Sequence, residues 1–213
     1  MGGASKSYVN RTIYEEGLRL PGLKLLREGE LQTDIIRLVE TNVRTPYEVK
    51  GDLMAELAAN YRGEERLMAY FDAILDYSEV GMRNAISALP DGVITNEGYQ
   101  ESDGIRDTLI KFNVTIEVKG SDIYVDLTGS DPPAEGGVNS PWSMTMSGIY
   151  YAIKSVLGAE VLTNSGAYRA SHAKRPDFDC LLDAKLPHAV AGCTISPPQI
   201  LATTMIGAFA KLV

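Results

Sequence analysis

The spacing of the apolar residues changes from a helical to a strand period around Pro90-Asp91-Gly92, and this change limits the folds that the chain can adopt. From residue 112 to residue 119 apolar and polar side chains alternate, which is typical of a strand with one buried face. A turn sequence, Lys119-Gly120-Ser121-Asp122, follows, and the alternation then resumes as far as Leu127. These residues predict a β-hairpin. Because a lone hairpin buries too little surface to be stable, we expect residues 93–99 to add a third antiparallel strand.

Three helices are predicted before this change of period. Residues 34–42 place apolar side chains at helical spacing. The next segment, Thr45-Pro46-Tyr47-Glu48, combines a capping box with a proline suited to the first helical position, so a second helix begins there. Gly63 is expected to end it, and a third apolar stripe then runs from Leu67 to Leu89. Two long helices joined at one glycine predict an antiparallel helical hairpin.

A turn-rich segment, residues 128–137, follows the predicted strands and leads into a further helix. Asn139 or Ser140 is expected to cap this helix, with Pro141 at its first position and Leu157 near its end. Its small and apolar side chains are expected to pack tightly on a neighbouring element. The residues expected on that face are Met144, Gly148, Tyr151, Ala152 and Ser155.

The remaining residues predict irregular structure followed by a closing helix. Residues 161–170 and 180–190 mix the two periods and are interpreted as short strands with loops, and an apolar helix is expected from about Gln199. The fold class is therefore α+β. Residues 1–90 form its helical segment, and residues 91–213 add an antiparallel sheet and further helices to the same domain.

The charge and the apolar runs exclude two classes of function. A formal charge of -8 and a pI near 4.8 would repel phosphate backbones, which disfavours nucleic-acid binding. No apolar run is long enough to cross a bilayer, and no signal sequence precedes the first helix, so we expect a cytoplasmic protein. The two cysteines are too few for a disulfide framework, which agrees with a reducing compartment.

No self-contained catalytic set is predicted. The glycine-rich segments lack the lysine of a phosphate-binding loop, and Cys193 has no neighbouring base that would mark it as a nucleophile. The two histidines, His172 and His188, are far apart in sequence and have no companion at metal-ligand spacing. Only the fold could bring them together with Cys180 and Cys193, and structural roles for these residues are the stronger interpretation.

Polar residues in apolar or turn-rich settings are the candidates for binding. Glu16 and Arg19 lie three residues apart in a hydrophobic segment, so they form an ion pair, or one of them reaches a ligand. Asn139 stands at a helix start, where it either caps the helix or lies beside backbone donors aimed at an anionic or carbonyl group. Arg169 ends the polar loop that starts at Asn164, and it serves either a substrate or the surface.

In this order the segments resemble the hydantoinase B family, which includes the corresponding parts of ATP-dependent N-methylhydantoinase, 5-oxoprolinase and the acetone and acetophenone carboxylases. The resemblance covers nearly the whole chain, and the shared order of many weak motifs makes it specific. The first motifs are Glu15-Glu16-Gly17-Leu18-Arg19-Leu20-Pro21, Asn42-Val43-Arg44-Thr45-Pro46, Gly51-Asp52-Leu53, Ala58-Ala59-Asn60 and Leu75-Asp76-Tyr77-Ser78-Glu79 with Met82-Arg83. They continue with Ala88-Leu89-Pro90-Asp91-Gly92, Val125-Asp126-Leu127-Thr128-Gly129-Ser130-Asp131-Pro132, Asn139-Ser140-Pro141, Tyr150-Tyr151-Ala152 and Asn164-Ser165-Gly166.

The resemblance implies an interior portion of a larger hydrolase subunit that opens cyclic amides such as hydantoin, N-methylhydantoin or 5-oxoproline. Family members bind a divalent metal through a segment that lies before a Gly-Gly pair matching Gly2-Gly3, so no metal ligand is expected in this chain. ATP-Mg would be bound by a hydantoinase A-type partner, which agrees with the missing phosphate loop. Glu16, Arg19, Asn139 and Arg169 would line the substrate side. The chain alone is expected to be inactive, and an oligomeric complex is expected.

Two alternatives remain open, and the sequence departs from the family at some positions. The chain could be a non-catalytic assembly module, because its apolar closing helix would expose a wide patch if nothing covered it, or part of a ketone carboxylase. Pro21-Gly22 stands where the family has two prolines, and Lys6-Ser7 stands where it has a proline-glycine pair. Ser196-Pro197-Pro198 replaces a stretch that tends to run Thr-Ser-Gln, so a pocket near the closing helix is in doubt.

Overall fold

A computed structural model describes residues 10–15, 19–61, 65–158, 160–176 and 179–212 of the 213-residue chain. The helices are α1 (Thr33–Thr41), α2 (Pro46–Tyr61), α3 (Glu65–Ile86), α4 (Trp142–Leu157) and α5 (Ser196–Phe209). The strands are β1 (Leu26–Arg27), β2 (Glu30–Leu31), β3 (Gly92–Gln100), β4 (Ile110–Lys119), β5 (Asp122–Asp126) and β6 (Ser171–Lys174). The architecture is α+β, as predicted.

The core is built on a four-stranded mixed sheet with the order β3-β4-β5-β6. The first three strands form the predicted antiparallel meander, with Ile116 of β4 opposite Ile94 on one side and Val125 on the other. β6 pairs with β5 in the parallel direction, so that Ile123 lies opposite Ser171. As expected, the apolar side chains of β4 point to the core face of the sheet and the polar ones to the other face. The residues buried on the core face are Ile110, Phe112, Val114, Ile116 and Val118.

Helices α4 and α5 cover this face of the sheet. The two helices pack closely because Gly148 of α4 has no side chain, and a Cβ there would lie 3.1 Å from the carbonyl oxygen of Pro198. α5 also crosses β3, where the Asn96 Nδ2 donates to the carbonyl oxygen of Thr204 at 2.9 Å. Leu201, Met205 and Phe209 of α5 are buried in the core. The predicted tight packing of α4 is confirmed.

The helical segment packs less completely than the sheet. α1 buries Ile36 and Val39 and contacts α2, to which the ion pair between Lys50 and Glu40 also joins it. α2 and α3 follow one another with residues 62–64 between them, and Gly63 lies outside the described residues. None of residues 46–57 in α2 is buried. The second half of α3 reaches the core through Met82 and Ile86.

Some local expectations need correction. Residues 165–168 and 181–183 form short 3-10 turns rather than strands, and the fourth strand is β6, at 171–174. α5 begins at Ser196 rather than near Gln199, because the two prolines that follow Ser196 are tolerated in a first helical turn.

The start and the buried face of α4 also differ from the prediction. α4 is preceded by Pro141 in an extended conformation, and neither Asn139 nor Ser140 caps it. The buried face consists of Thr145, Gly148, Ile149, Ala152 and Ile153, whereas Tyr151 is 65% exposed.

Candidate functional site

A cleft of about 450 Å³ lies between the N-terminal segment and the loop before α5. Its volume falls within the range typical of small-molecule sites. The lining residues are Ile13, Pro141, Ala184, Lys185, Leu186, His188 and Val190. Most of these side chains are apolar, and the lysine and the histidine supply the polar groups. The cleft could therefore hold a small molecule with an apolar body and one polar end.

The N-terminal segment forms one wall because it is hydrogen-bonded to the loop. The backbone N–H of Ile13 donates to the carbonyl oxygen of Pro187 at 3.0 Å, and Thr12 and His188 form an antiparallel bridge. At the other side of this segment, the Arg11 guanidinium pairs with Glu135 at 3.2 Å. These contacts place residues 10–15, which lead directly to Glu16, at the cleft.

Asn139 is completely buried below the opposite wall. Its Oδ1 accepts from the N–H of Ala134 at 2.7 Å, and its Nδ2 lies 3.0 Å from each of the carbonyl oxygens of Ala134, Gly136 and Ala189. The side chain thereby ties the turn-rich segment to the residue that follows His188. Its observed contacts are with backbone groups, so in this structure Asn139 positions the cleft wall.

His188 and Asp179 form a pair at the edge of the cleft. The His188 Nε2 lies 3.1 Å from the Asp179 Oδ2, and the Asp179 Oδ1 accepts from the N–H of Lys185 at 3.3 Å. The N–H of His188 donates to the carbonyl oxygen of Lys185 at 3.0 Å, which closes the turn. The carboxylate therefore fixes both the loop and the ring. From the sequence, His188 was considered only as a metal ligand. Its pairing with Asp179 was not predicted, because a spacing of nine residues matches no known motif.

The other predicted site residues fall in different places. Glu16 lies outside the described residues. Arg19 is exposed, and its guanidinium carbon lies 5.5 Å from the centre of the Tyr14 ring, which is within cation-π range. Arg169 instead contacts α3, where it pairs with Asp76 at 2.7 Å and with Glu79 at 3.1 Å. The fold thus brings Asn139 and the segment before Glu16 to one cleft and places Arg169 in another cluster.

Arg169 belongs to a chain of charged groups that joins α3 to the sheet. Arg83 bridges Glu79 at 2.9 Å and Asp122 at 2.8 Å, and Asp122 also contacts His172 at 2.8 Å. The hydrogen bonds from Arg83 and Arg169 hold the pKa of Glu79 below its ordinary value. The hydrogen bond with His172, together with Arg83, lowers the pKa of Asp122 and outweighs the opposing effect of burial. These groups are well placed to hold α3 against β5.

A second buried polar residue, Asp103, was missed by sequence reasoning. Its Oδ1 accepts from the N–H groups of Ile105 and Arg106, and its Oδ2 accepts from the N–H of Gly136 at 3.0 Å. Burial alone would raise the pKa of this carboxyl, but the backbone donors, Arg106 first among them, lower it. The turn sequence Ser102-Asp103-Gly104 could have indicated this role, because the side chain of aspartate commonly accepts hydrogen bonds from the backbone N–H groups that follow it in turns.

The histidines and cysteines do not meet. His172 stacks on Tyr124 of β5, whereas His188 contacts Asp179. Cys180 is buried, and burial raises the pKa of its thiol. Within the described ranges, no three His, Cys, Asp or Glu side chains converge as metal ligands would. The same ranges contain no helix long and apolar enough to span a membrane.

The observed architecture defines an α+β protein whose mixed sheet carries two helices on its core face and a small-molecule-sized cleft at one end. Residues 1–213 match the family described as Hydantoinase B/oxoprolinase, and the chain belongs to this family. The predicted resemblance is confirmed.

Two relatives illustrate the likeness in sequence. The chain is 34% identical over 162 residues to the B-type subunit of a putative D-/L-hydantoinase from Pseudomonas sp. (strain NS671), covering 68% of this chain and 27% of the relative. It is 28% identical over 204 residues to the beta chain of the caprolactamase from Pseudomonas jessenii, covering 90% of this chain and 35% of that relative. The chain spans about a third of the length of these relatives.

Two solved structures share the fold. The ATP-dependent caprolactamase from Pseudomonas jessenii superposes with a TM-score of 0.77 at 25% identity, over 100% of this chain and 39% of the other. The nucleotide-free structure of acetone carboxylase superposes with a TM-score of 0.67 at 13% identity, over 91% of this chain and 29% of the other. At that identity the second likeness concerns the fold alone.

Proposed function

We propose that the chain is a portion of a hydantoinase B-type subunit that acts in the ATP-dependent hydrolysis of cyclic amides, such as hydantoin, N-methylhydantoin or 5-oxoproline. The family match across residues 1–213 is the observation that carries this function. The likeness to one of the subunits of a hydantoinase and to one of the subunits of a caprolactamase supports amide substrates and a partner subunit. The cleft supplies a place of suitable size for a small ring.

Within this function, Glu16 and Arg19 would lie on the substrate side, because residues 12 and 13 already form a wall of the cleft. Asn139 would act through Ala189 by holding the opposite wall in place. Arg169 lies in a different cluster, where it pairs with Asp76 and Glu79, so its predicted substrate-side role is not part of this cleft and stays a prediction.

The energy source and the metal are proposed to come from outside this chain. A hydantoinase A-type partner would bind ATP-Mg, and a divalent metal would be held by residues upstream of the family segment represented here. The described residues form no cluster that fits such a metal. Because the reaction needs these groups, we propose that the chain is inactive alone and works in the cytoplasm, where ATP is available.

The test uses the complete complex with its ATP-using partner and metal. Arg19→Glu and Glu16→Lys should each lower kcat/KM for the cyclic amide by at least about tenfold, since each reverses a charge on the substrate side. Arg37→Glu, which reverses an exposed charge on α1, is the matched control and should leave turnover unchanged. Wild-type kinetics in both site variants would exclude the assignment of Glu16 and Arg19.

A second candidate function is assembly on the ATP-using partner without a part in catalysis. The apolar closing helix, which was expected to expose a wide patch, is instead largely buried against the sheet. The structure offers a different surface on α3, where six of the described large hydrophobic side chains are between 45% and 71% exposed. They are Met68, Tyr70, Phe71, Ile74, Tyr77 and Val80.

Partner binding tests this surface. Ile74→Asp should weaken capture of the hydantoinase A-type partner, because it places a charge in the apolar contact. Val93→Asp introduces the same charge at an exposed aliphatic residue on the open face of the sheet, and we expect it to bind normally. Equal capture of both variants would exclude the α3 surface as the contact.

Ketone carboxylation is the remaining alternative, and it is supported only by a shared fold. Supplying the complex with acetone, bicarbonate and ATP, in parallel with a cyclic amide and ATP, separates the two reactions.

A further inference from the structure

We propose that the open face of the sheet, opposite the face that α4 and α5 cover, carries a binding site for the guanidinium group of a small alkylguanidine. In this site Glu117 pairs with the guanidinium, the Tyr124 ring stacks on it, and Val93 contacts the alkyl chain. These side chains line a cleft of about 400 Å³, a volume typical of small-molecule sites. Among the described residues, this cleft shares none with the cleft between the N-terminal segment and the loop before α5.

The register of the strands puts four side chains of the open face in one row across the sheet. Glu117 of β4 lies directly opposite Val93 of β3 and Tyr124 of β5. Tyr124 in turn lies opposite His172 of β6. Residues that face each other on antiparallel strands have Cβ atoms about 4.5–5.5 Å apart. The Glu117 carboxylate therefore lies between an aliphatic side chain and an aromatic ring.

The charges at this cleft leave one carboxylate for a ligand. Asp126 pairs with Lys174 at 3.3 Å and accepts hydrogen bonds from Thr128. Glu117 is exposed, and none of the described cations forms an ion pair with it. This holds even for Lys119, which lies two residues along β4 on the same face. A cationic ligand would therefore meet a carboxylate that has no competing partner among these residues.

The Tyr124 ring is held in place from one side. It stacks on the His172 ring with the ring centres 4.9 Å apart and the planes 26° apart. The His172 Nε2 lies 2.8 Å from Asp122, and Asp122 also accepts from Arg83 at 2.8 Å. Tyr124 remains 42% exposed, so the face of its ring toward Glu117 is open to a ligand. A ring that is already fixed loses little conformational entropy on binding.

A guanidinium suits this arrangement better than an ammonium does. It is planar, so it can lie on the aromatic ring while its N–H groups donate to the carboxylate as a fork. Val93 is 67% exposed on the other side of Glu117, and an alkyl chain would remove part of this apolar surface from water. One free carboxylate matches one positive charge, which favours a small molecule over a basic peptide segment.

The test titrates the 213-residue chain into butylguanidine and follows the ligand by NMR. The methylene protons beside the guanidinium should move upfield and the shift should saturate, because these protons lie over an aromatic ring. Butylurea has nearly the same shape without the charge and should show no saturable shift. Butylamine has the charge without the planar fork and should bind at least about threefold more weakly. Equal binding of butylguanidine and either analogue, or no saturable shift, would overturn the inference.

Variants test the two side chains that contact the guanidinium. Glu117→Gln keeps the length of the side chain and removes its charge, so it should weaken butylguanidine binding about fivefold. Tyr124→Leu removes the ring and should weaken binding about threefold. Glu48→Gln removes a charge from an exposed glutamate on α2 and should bind as the wild type does. Undiminished binding in either site variant contradicts the site.

Lys119→Gln tests the sign of the charge effect. It removes a cation from the same face of β4 and should strengthen butylguanidine binding about twofold, because the ligand no longer meets a like charge. Weaker binding by this variant would show that the carboxylate of Glu117 is not the anchor.

A blocked Gly-Arg-Gly peptide distinguishes a small molecule from a protein segment as the source of the guanidinium. We expect it to bind no more tightly than butylguanidine, since the cleft offers no second free charge among its described residues. Binding of the peptide more than tenfold tighter than that of butylguanidine would overturn the small-molecule assignment.

Discussion

Gly166 shows how closely the polar loop after α4 approaches α3. A Cβ at this position would lie 2.6 Å from the carbonyl carbon of Leu75 and 2.7 Å from its Cα. Both are backbone atoms, so neither can rotate away. We therefore expect Gly166→Ala to destabilise the fold by about 2 kcal/mol or more in urea unfolding, as overpacking does.

Gly51 provides the control for this substitution. It lies in α2, and no atom comes within 4 Å of a Cβ built there. Gly51→Ala should stabilise the chain by up to about 1 kcal/mol, since alanine favours a helix over glycine. A Gly166→Ala variant as stable as the wild type would show that the loop and α3 are not in close contact.

The carboxyl group of Asp103 makes the free energy of unfolding depend on pH. Its pKa is lowered in the fold, so its stabilising hydrogen bonds are complete above the unfolded pKa of about 3.9 and are lost as the pH falls through the lower folded value. Asp103→Asn should cost about 2 kcal/mol at pH 6. The difference between wild type and variant should shrink as the pH approaches 3, measured by urea unfolding at each pH.

Asp72, which is exposed on α3, is the control for this substitution. Asp72→Asn should alter the free energy of unfolding little at pH 6. A stability difference between wild type and Asp103→Asn that stays constant from pH 6 to pH 3 would contradict the role given to the Asp103 carboxylate.

Individual site residues were only partly predictable from the sequence. Asn139 stood out because a polar residue preceded a helix, yet its partners lie at 134, 136 and 189, and the last of these is supplied by the tertiary fold. No motif around Lys185 in the sequence indicated that this residue would line the cleft. A sequence shows which side chains are able to bind, whereas the fold decides which of them meet.

At the level of elements, the charged groups between α3 and β5 replace part of the apolar packing that α3 lacks. Arg83→Met should lower the melting temperature by about 3 °C, because Arg83 joins Glu79 of its own helix to Asp122 of the strand. The effect should diminish only partly at high salt, because these side chains are half-buried and salt screens such pairs less than exposed ones. Calorimetry at low and high ionic strength measures both quantities.

Arg37 is an exposed arginine on α1 and provides the comparison. Arg37→Met should change the melting temperature less than Arg83→Met does, with little dependence on salt. A larger loss for Arg37→Met would show that the pairs of Arg83 do not hold α3 in place.

Elements with a sustained period were predictable, and short ones were not. The alternation along the ten residues of β4 determines both its type and its buried face, whereas β3 was predicted only because a lone hairpin needs a third strand. β6 has four residues, and its partner in β5 is 48 positions away, so no local pattern reveals it. The β1–β2 hairpin was also missed, because one of its two turn residues is Glu28, which adopts a positive φ of 52° without the usual sequence signal.

For the whole molecule, the uneven burial predicts uneven local stability. Amide exchange should be slowest in β4 and α5, where the side chains are most completely buried, and fastest in α2 and the first half of α3. Hydrogen exchange followed by mass spectrometry measures this order. Peptides from residues 46–57 that exchange as slowly as those from β4 would contradict it.

The parallel pairing of β5 with β6 has a consequence for the order of assembly. The three antiparallel strands are joined by a short turn and a short loop, so they can form early from neighbouring stretches of chain. β6 can pair with β5 only after α4 and the loop that follows it have brought Ser171 alongside Ile123. A nascent chain that has emerged from the ribosome as far as residue 130 would thus expose the edge of β5, and at this stage it is most open to mispairing.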